Sequence, residues 1–261
     1  MRIVRTVAEL RSERGAVAAG RKVALVPTMG AFHAGHLALF RAARAECDVV
    51  VASLFVNPAQ FGAHDDFERY PRDEERDVRL ARAEDVDMLF VPSADDLYPP
   101  GFSTSVDVGA GGAEDRARPG HFRGVATVCT KLFNIARPHV AYFGQKDAQQ
   151  VAVVQRLVAD LDVDVALRVV PTVRDADGLA LSSRNVYLSR ADRERALALP
   201  RALAAARAAA DPVDAARRGL NGLEPEYVEI VDLGRAKVLA AAARVGSTRL
   251  IDNVVLEGEL R

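Results

Sequence analysis

Residues 22–36 read KVALVPTMGAFHAGH, and this stretch decides the fold. The segment Lys22 to Val26 has the apolar, β-branched character of a buried parallel strand. The segment His36 to Glu46, HLALFRAARAE, has apolar residues at helical spacing. We therefore expect Pro27 to Gly35 to form the turn between a strand and a helix.

This turn has the features of a phosphate-binding site. Its helix start would offer N–H groups without intrahelical partners, together with the positive end of the helix dipole. Gly30 and Gly35 would let a phosphate approach the backbone, and the ring N–H groups of His33 and His36 could donate to its oxygens. The glycine spacing matches a P-loop, but His36 and Leu37 replace the Lys and Ser/Thr of a Walker A site. The alternative is that both histidines only bond local carbonyls.

Composition limits the kinds of protein that this chain could be. With 261 residues and 49% hydrophobic content, it can form one large or two modest packed domains. Its 35 Lys and Arg residues balance 36 Asp and Glu residues, which offers no overall footprint for nucleic acid or an anionic membrane. The first residues, MRIVRTVAELRSER, lack the apolar core of a signal peptide, and no run of 18 apolar residues occurs. We expect a cytoplasmic protein without nucleic-acid or membrane partners.

Cys47 and Cys129 are isolated within apolar segments. They have neither CxxC spacing nor a neighbouring run of metal ligands, so a disulfide framework or a zinc site is not expected. Buried free thiols are the better interpretation.

Strands and helices alternate along the first two thirds of the chain. Besides the first pair, the patterns predict strands at Asp48–Val56, Asp87–Val91, His139–Phe143 and Asp164–Val170, and helices at Asp73–Glu84, Gly124–Ala136 and Lys146–Leu161. This order predicts an α/β fold with a Rossmann-like parallel sheet wrapped by helices through right-handed crossovers.

From Thr172 onward the pattern changes. A polar segment leads to an alanine-rich helix at Ala191–Ala210 and then to strands at Tyr227–Val231 and Arg249–Leu256. We predict two domains: a nucleotide-binding domain of residues 1–171 and a smaller α+β domain of residues 172–261.

Three polar segments follow predicted strands: Thr28–His36, Asn57–Gly62 (NPAQFG) and Gly144–Gln150 (GQKDAQQ). Ligands bind where the strands of such sheets end, so we expect one crevice lined by all three. Lys146 could there meet negative charge on a phosphoryl group. The alternative is an ordinary helix start, with Asp147 as the cap and Lys146 in solvent.

Two further segments carry polar groups suited to substrates. Leu181–Arg184, LSSR, offers two hydroxyls and a guanidinium as a phosphate clamp, or is a common serine-rich loop. The basic segment Arg116–Gly124 is either an anion-contacting flap or a solvated loop, and closure of a flap over Gly109–Arg123 would exclude water from the site. The amides of Asn57, Gln60 and Gln150 could recognise hydroxyl and carboxylate groups, or could lie in surface turns.

These motifs together resemble one family, the pantothenate synthetases, which are ATP-dependent ligases of the nucleotidyltransferase superfamily. The resemblance covers nearly the whole chain. It is carried by PTMGAFHAGH (27–36), FVNPAQFG (55–62), RYPRD (69–73), RPGHFRGV (118–125), FGQKDAQQ (143–150), DGLALSSRN (177–185) and RLIDN (249–253).

The resemblance implies substrates, partners and residue roles. It implies joining of pantoate to β-alanine with ATP and Mg²⁺, through an enzyme-held pantoyl adenylate, in a homodimer. It implies that His36, with His33 and Lys146, is catalytic, that Gln60 and Gln150 bind pantoate, and that Gln60 also contacts β-alanine. The implied ATP-binding residues are Met29, Gly30, Ala31, Phe32, His33, Ala34, Gly35, His36, Gly144, Gln145, Lys146, Asp147, Val173, Leu181, Ser182, Ser183 and Arg184.

The chain departs from the family pattern in three places. Gln145 stands where the family usually has Glu, and Asp115 stands where Gly usually follows Glu114. The C-terminal region is shorter than is typical, so the resemblance leaves the topology of the second domain open.

Two other functions stand as alternatives. A simple nucleotidyltransferase would use the same histidines and stop after attaching AMP to its acceptor. A regulator would bind ATP without turnover. An aminoacyl-tRNA synthetase is disfavoured by the short chain, the balanced charge and the lack of an evident anticodon module.

Overall fold

Short apolar segments form a six-stranded parallel sheet in a computed structural model that describes residues 1–63, 65–109 and 112–259. The strands are β1 (Arg2–Val4), β2 (Val23–Val26), β3 (Val49–Ser53), β4 (Met88–Phe90), β5 (Val140–Gly144) and β6 (Ala166–Val170). Their order is β1-β4-β3-β2-β5-β6. Every residue of β2 and β3 is buried, as expected for central strands covered on both faces. The predicted Rossmann-like sheet is confirmed.

Helices cover both faces of this sheet. They are α1 (Val7–Gly15), α2 (Ala34–Glu46), α3 (Glu74–Ala83), α4 (Ala94–Leu97), α5 (Ala113–Ala117), α6 (His121–Ala136) and α7 (Ala148–Asp160). The chain leaves β2 toward β3 on one side and later returns to place β5 on the other side. The strand order therefore reverses between β2 and β5, and a crevice opens there at the carboxyl ends of the strands.

The C-terminal part packs three helices on a separate antiparallel sheet. Its elements are α8 (Arg190–Ala196), α9 (Ala198–Ala206), α10 (Pro212–Gly219), β7 (Glu224–Asp232), β8 (Ala236–Val245) and β9 (Thr248–Gly258). The three strands pair in the order β7-β8-β9 and share an apolar core with the helices. The predicted smaller α+β unit is thus confirmed as a class, whereas the boundary at residue 172 stays a prediction and residues 260 and 261 lie outside the described ranges.

One predicted helix is wrong in its extent. The sequence predicts a single helix over Ala191–Ala210, but α8 ends at Ala196 and α9 begins only after Leu197. Pro200 explains the break, because proline has no N–H to donate and its ring clashes with the carbonyl four residues earlier, that of Ala196.

The C-terminal sheet is bound to the rest of the protein through β9. Arg249 forms a two-point ion pair with Glu114, at 3.0 and 2.6 Å. The next polar residue, Asp252, accepts two hydrogen bonds from Arg174, at 2.7 and 2.9 Å. These contacts place one end of the small sheet against the crevice.

Two remaining expectations concern cysteines and membranes. Cys47 and Cys129 are free and buried. Among the residues described, no helix has the length and apolar character needed to span a bilayer.

Candidate active site

Two adjoining cavities occupy the crevice. We call the first, of about 200 Å³, the histidine cavity, because His33 and His36 line it. We call the second, of about 400 Å³, the arginine cavity, because Arg118 and Arg249 line it. Both cavities share the side chains of Met29, Gln60, Lys146, Asp147, Gln150, Ser182 and Arg184. They therefore form one continuous space with two ends.

The two histidines cap α2 with the same ring atom. His33 Nδ1 accepts the N–H of Gly35 at 3.1 Å, and His36 Nδ1 accepts the N–H of His33 at 3.2 Å. A Cβ on Gly35 would lie 2.9 Å from His33 Cε1, so glycine is needed for this ring position. With Nδ1 acting as an acceptor, the neutral imidazole carries its proton on Nε2. Each ring therefore keeps an N–H donor on the side away from the cap.

Both rings are held in the neutral form. Burial, followed by the charge of Lys146, lowers the pKa of His33 to about 4. Burial, followed by His33 and Lys146, keeps the pKa of His36 well below its usual value of 6.5. The Nδ1 atoms of both rings accept local N–H groups, whereas the alternative interpretation has the rings bond local carbonyls. The histidines therefore offer neutral N–H groups to the cavity rather than a positive charge that changes near neutral pH.

A buried carboxylate that the sequence reasoning missed shapes the turn before α2. Asp77, on α3 and 1% exposed, accepts the N–H groups of Ala31 and Phe32, each at 2.7 Å. Gly30 and Ala31 both have positive φ, at 86° and 52°. The expected approach of phosphate to this part of the turn therefore competes with Asp77, because the carboxylate already uses the two N–H groups. The RYPRD motif ends four residues before Asp77 and was the nearest available signal.

The LSSR segment reaches the histidine cavity from the other side. Ser183 Oγ donates to Tyr70 Oη at 3.1 Å, and Arg184 lies over the same ring, 5.5 Å from its centroid. Arg184 also pairs with Asp66 through two hydrogen bonds, at 2.8 and 2.7 Å. The segment predicted as a phosphate clamp is therefore held in place by Tyr70 and Asp66.

Gln60 sits where the two cavities meet. Its Oε1 accepts from Asn57 Nδ2 at 3.0 Å, and its Nε2 lies 3.2 Å from Met29 Sδ. Asn57 is in turn held by Tyr98, whose hydroxyl donates to Asn57 Oδ1 at 2.8 Å. Gln60 is a buried, oriented amide rather than a surface turn residue. The side-chain amide of Gln150 lines both cavities and has no hydrogen-bond partner among the described residues.

The segment Arg116–Gly124 lies against the arginine cavity. Arg118 pairs with Asp65 at 2.8 Å and lies 3.2 Å from His121 Nε2. His121 Nδ1 is 2.9 Å from the carbonyl oxygen of Gln60. Arg118 is therefore no freely solvated side chain. Residues 110 and 111 of the expected flap lie outside the described ranges.

The structure brings most of the sequence-predicted site residues together. The side chains or backbones that line the cavities include Met29, His33, Gly35, His36, Gln60, Gly144, Lys146, Asp147, Gln150, Val173, Leu181, Ser182, Ser183 and Arg184. The predicted residues Gly30, Ala31, Phe32, Ala34 and Gln145 line neither cavity. Phe32 is fully buried in the apolar core, and Gln145 bonds Asn253.

The fold and the site together define the class of protein to which this chain belongs. This is a Rossmann-like α/β protein with polar side chains gathered at the switch point of the parallel sheet, the position where such folds bind nucleotides. The chain belongs to the pantoate-beta-alanine ligase family, whose model matches residues 2–255.

Known relatives and solved structures support the same family assignment. The pantothenate synthetases of Roseiflexus castenholzii and Heliobacterium modesticaldum are each 50% identical to this chain, over 98% of it and 100% of their own length. A crystal structure of pantothenate synthetase from Thermus thermophilus matches with a TM-score of 0.91 and 45% identity, covering 98% of this chain and all of that one. The chain is accordingly a ligase that forms pantothenate from pantoate and β-alanine.

A second structure was solved with ligands. The pantoate-beta-alanine ligase of Francisella tularensis, described as complexed with beta-gamma ATP and beta-alanine, matches with a TM-score of 0.86 and 35% identity over 98% of both chains.

Proposed function

We propose that this ligase uses ATP and proceeds through an enzyme-bound pantoyl adenylate. The observation that carries the proposal is a single cavity lined by two neutral histidines, one lysine and one arginine, together with the side-chain amides of two glutamines. The ATP and β-alanine in the Francisella tularensis complex support the same choice of substrates.

The chemistry requires an activation step. A carboxylate does not transfer its acyl group to an amine, because oxide is too poor a leaving group. In the proposed first step a carboxylate oxygen of pantoate attacks the α-phosphorus of ATP, and pyrophosphate leaves. In the second step the amine of β-alanine attacks the acyl carbon, AMP leaves with the bridging oxygen, and the amine loses a proton. The products are pantothenate, AMP and pyrophosphate.

Charge builds up on phosphate oxygens in the first step, and the histidine cavity offers preorganised donors for it. The Nε2–H groups of His33 and His36 supply neutral donors, and the ammonium of Lys146 supplies positive charge. Ser182, Ser183 and Arg184 complete the proposed phosphate contacts from the opposite wall. Neutral imidazoles suit this task, because they donate hydrogen bonds and do not change their protonation state near neutral pH.

Pantoate is proposed to lie between the amides of Gln60 and Gln150. Gln60 lines both cavities, so it can contact pantoate on one side and β-alanine on the other. Gln150→Ala is expected to impair mainly the use of pantoate, because substrate hydroxyls or carboxylate oxygens would lose a partner at a cost of about 1–3 kcal/mol.

ATP is proposed to bind as its Mg²⁺ complex. Mg²⁺ keeps several waters and binds mostly to phosphates, with one or two protein carboxylates. Asp147, whose side chain is 42% exposed beside Lys146, is the carboxylate that fits this part. Closure of the 109–123 segment as a flap, which would shield the adenylate from water, remains a prediction.

Exchange of labelled pyrophosphate into ATP tests the proposed function. Exchange should require pantoate but not β-alanine, because the adenylate forms before the amine attacks. An exchange that strictly requires β-alanine would argue against a separable adenylate. Release of free AMP on adding β-alanine separates the ligase from a nucleotidyltransferase that stops at AMP attachment, and any turnover excludes a purely regulatory ATP-binding role.

Two predictions about the protein's setting accompany this proposal. A homodimer is expected, and light scattering of the purified chain measures its mass directly. A cytoplasmic location is expected, and fractionation of the producing cells checks it.

A further inference from the structure

Asn253, on β9, is bonded to the two peptide groups that flank the Cα atom of Lys146. Its Nδ2 donates to the carbonyl oxygens of Gln145 and Lys146, at 2.8 and 3.0 Å. Its Oδ1 accepts from Gln145 Nε2 at 3.1 Å. Asn253 is 1% exposed. Both N–H donors of this amide are therefore used by the segment that carries Lys146.

That segment needs an external support. Gln145–Asp147 form a single turn of 3-10 helix between β5 and α7, and a turn of this length has few internal hydrogen bonds. The two carbonyl contacts set the rotation of the peptides before and after the Lys146 Cα atom. They thereby set the direction in which the lysine side chain leaves the backbone.

We infer that Asn253 is a positioning residue for Lys146, so that the C-terminal sheet takes part in setting the geometry of the active site. This inference rests on the proposed catalytic role of Lys146. Asn253 borders the arginine cavity, but it has no free N–H with which to bind a substrate. It acts through the lysine.

The neighbouring residue keeps Asn253 in place. Asp252 Oδ1 accepts the backbone N–H of Asn253 at 2.8 Å while Asp252 is paired with Arg174. A continuous set of hydrogen bonds thus runs from Arg174 through β9 to the Lys146 backbone. Each member is bonded to the next, so a change at Asn253 is expected to move the lysine rather than to be absorbed by an exposed loop.

Asn253→Ala and Lys146→Ala, alone and combined, test the inference. At saturating substrates Asn253→Ala should lower kcat about 10- to 100-fold with little change in the KM for pantoate, as expected for a displaced catalytic group. In the Lys146→Ala background the same change should have little further effect, because the group that it positions is already absent. Asn253→Asp should lower kcat more than Asn253→Ala does, because the new carboxylate would face two carbonyl oxygens.

Asp211→Ala is the matched control for stability. Asp211 Oδ1 caps α10 by accepting the N–H of Asp214 at 3.0 Å, and it lines neither cavity. This variant should lower the Tm of the C-terminal part without lowering kcat, and circular dichroism and Tm should show Asn253→Ala folded to a similar degree.

The possible outcomes distinguish a failure of the positioning role of Asn253 from a failure of the proposed catalytic role of Lys146. Losses in kcat that multiply in the Asn253→Ala/Lys146→Ala variant would overturn the positioning role alone. A kcat of Asn253→Ala equal to that of the unaltered protein would do the same. Normal kcat in Lys146→Ala would remove the catalytic role of the lysine and the inference with it, while pantoate-dependent pyrophosphate exchange would still report on the proposed reaction.

Discussion

Asp66 and Arg184 form a two-point ion pair, with arginine Nε 2.8 Å from Oδ2 and Nη2 2.7 Å from Oδ1. The two side chains are only 17% and 25% exposed, respectively. The arginine proposed to contact ATP phosphates is thus held by a carboxylate. A phosphate entering the cavity has to share this guanidinium with Asp66 or displace it.

Arg184→Ala is expected to affect stability and ATP binding separately. It leaves the Asp66 carboxylate largely buried without a cation, which should lower the free energy of unfolding by about 1–3 kcal/mol, between the effects for exposed and fully buried pairs. It should also raise the KM for ATP. Urea denaturation and steady-state kinetics measure the two effects. The Asp66→Ala/Arg184→Ala variant should regain much of the stability but not the KM, and a restored KM would show that Arg184 does not contact the nucleotide.

His36→Ala is expected to lower kcat about 10²- to 10³-fold, the usual cost of losing one preorganised donor to a developing charge. His139→Ala is the matched control, because His139 Nδ1 also accepts a backbone N–H, that of Val23 at 2.9 Å, but lies away from both cavities. Its kcat should be unchanged. Similar kcat values for the two variants would remove His36 from the catalytic centre.

Acid should destabilise the fold in a window set by the buried histidines. Burial, followed by the charge of Arg118, lowers the pKa of His121 from 6.5 to about 4. Below pH 6.5 the unfolded chain therefore binds a proton that the folded chain excludes, so the free energy of unfolding falls as pH decreases toward 4. One such group contributes up to about 1.4 kcal/mol per pH unit. In His121→Gln this dependence, measured by urea denaturation, should be shallower by up to that amount; equal slopes would contradict the pKa direction.

Gly124→Ala is expected to disturb pantoate use through packing. A Cβ on Gly124 would lie 2.2 Å from the carbonyl oxygen of Ala59 and 2.5 Å from the N atom of Gln60. The short 3-10 helix Pro58–Gln60 must therefore move, which should cost about 1–3 kcal/mol of stability and raise the KM for pantoate. Gly15→Ala, where no atom lies within 4 Å of the added Cβ, should change neither quantity appreciably. A normal KM in Gly124→Ala would show that the position of Gln60 does not govern pantoate binding.

The fate of carboxylate oxygen identifies the bond of ATP that breaks. If ¹⁸O-labelled pantoate attacks the α-phosphorus, one labelled oxygen bridges the adenylate and remains on AMP when β-alanine takes the acyl group. Mass spectrometry of single-turnover products should therefore find label in AMP. The missing Walker A residues after Gly35 favour this course over γ-phosphate transfer. Label in inorganic phosphate, with ADP as the nucleotide product, would overturn the adenylate mechanism even if pantothenate formed.

Local patterns determined much of the Rossmann-like part of the chain. The apolar run before Pro27, the turn glycines and the helical spacing after His36 each act within a few residues, so the sequence alone predicts β2, the turn and α2. The same reasoning predicts β3 to β6 and the segments that end at the crevice. Residue identity at the motifs also predicts the family, because each motif fixes several chemically specialised positions at once.

Tertiary structure decided what local patterns leave open. β8 was not predicted, since its AKVLAAAARV sequence is dominated by alanine, which favours helix in isolation. The segment becomes the central strand of its sheet because β7 and β9 pair with its two edges. Its small alanine side chains also let α9 pack closely against one face of the strand.

The charges and hydrogen-bond donors of the site also depend on the tertiary structure. The sequence shows His33, His36 and Arg184, but it does not show which atoms they face. Asp66 reaches Arg184 across 118 residues of chain, and the cap of α2 assigns the histidine protons to Nε2. Hydrogen bonds and burial between distant segments set these charges and donors, and only the folded chain brings those segments into contact.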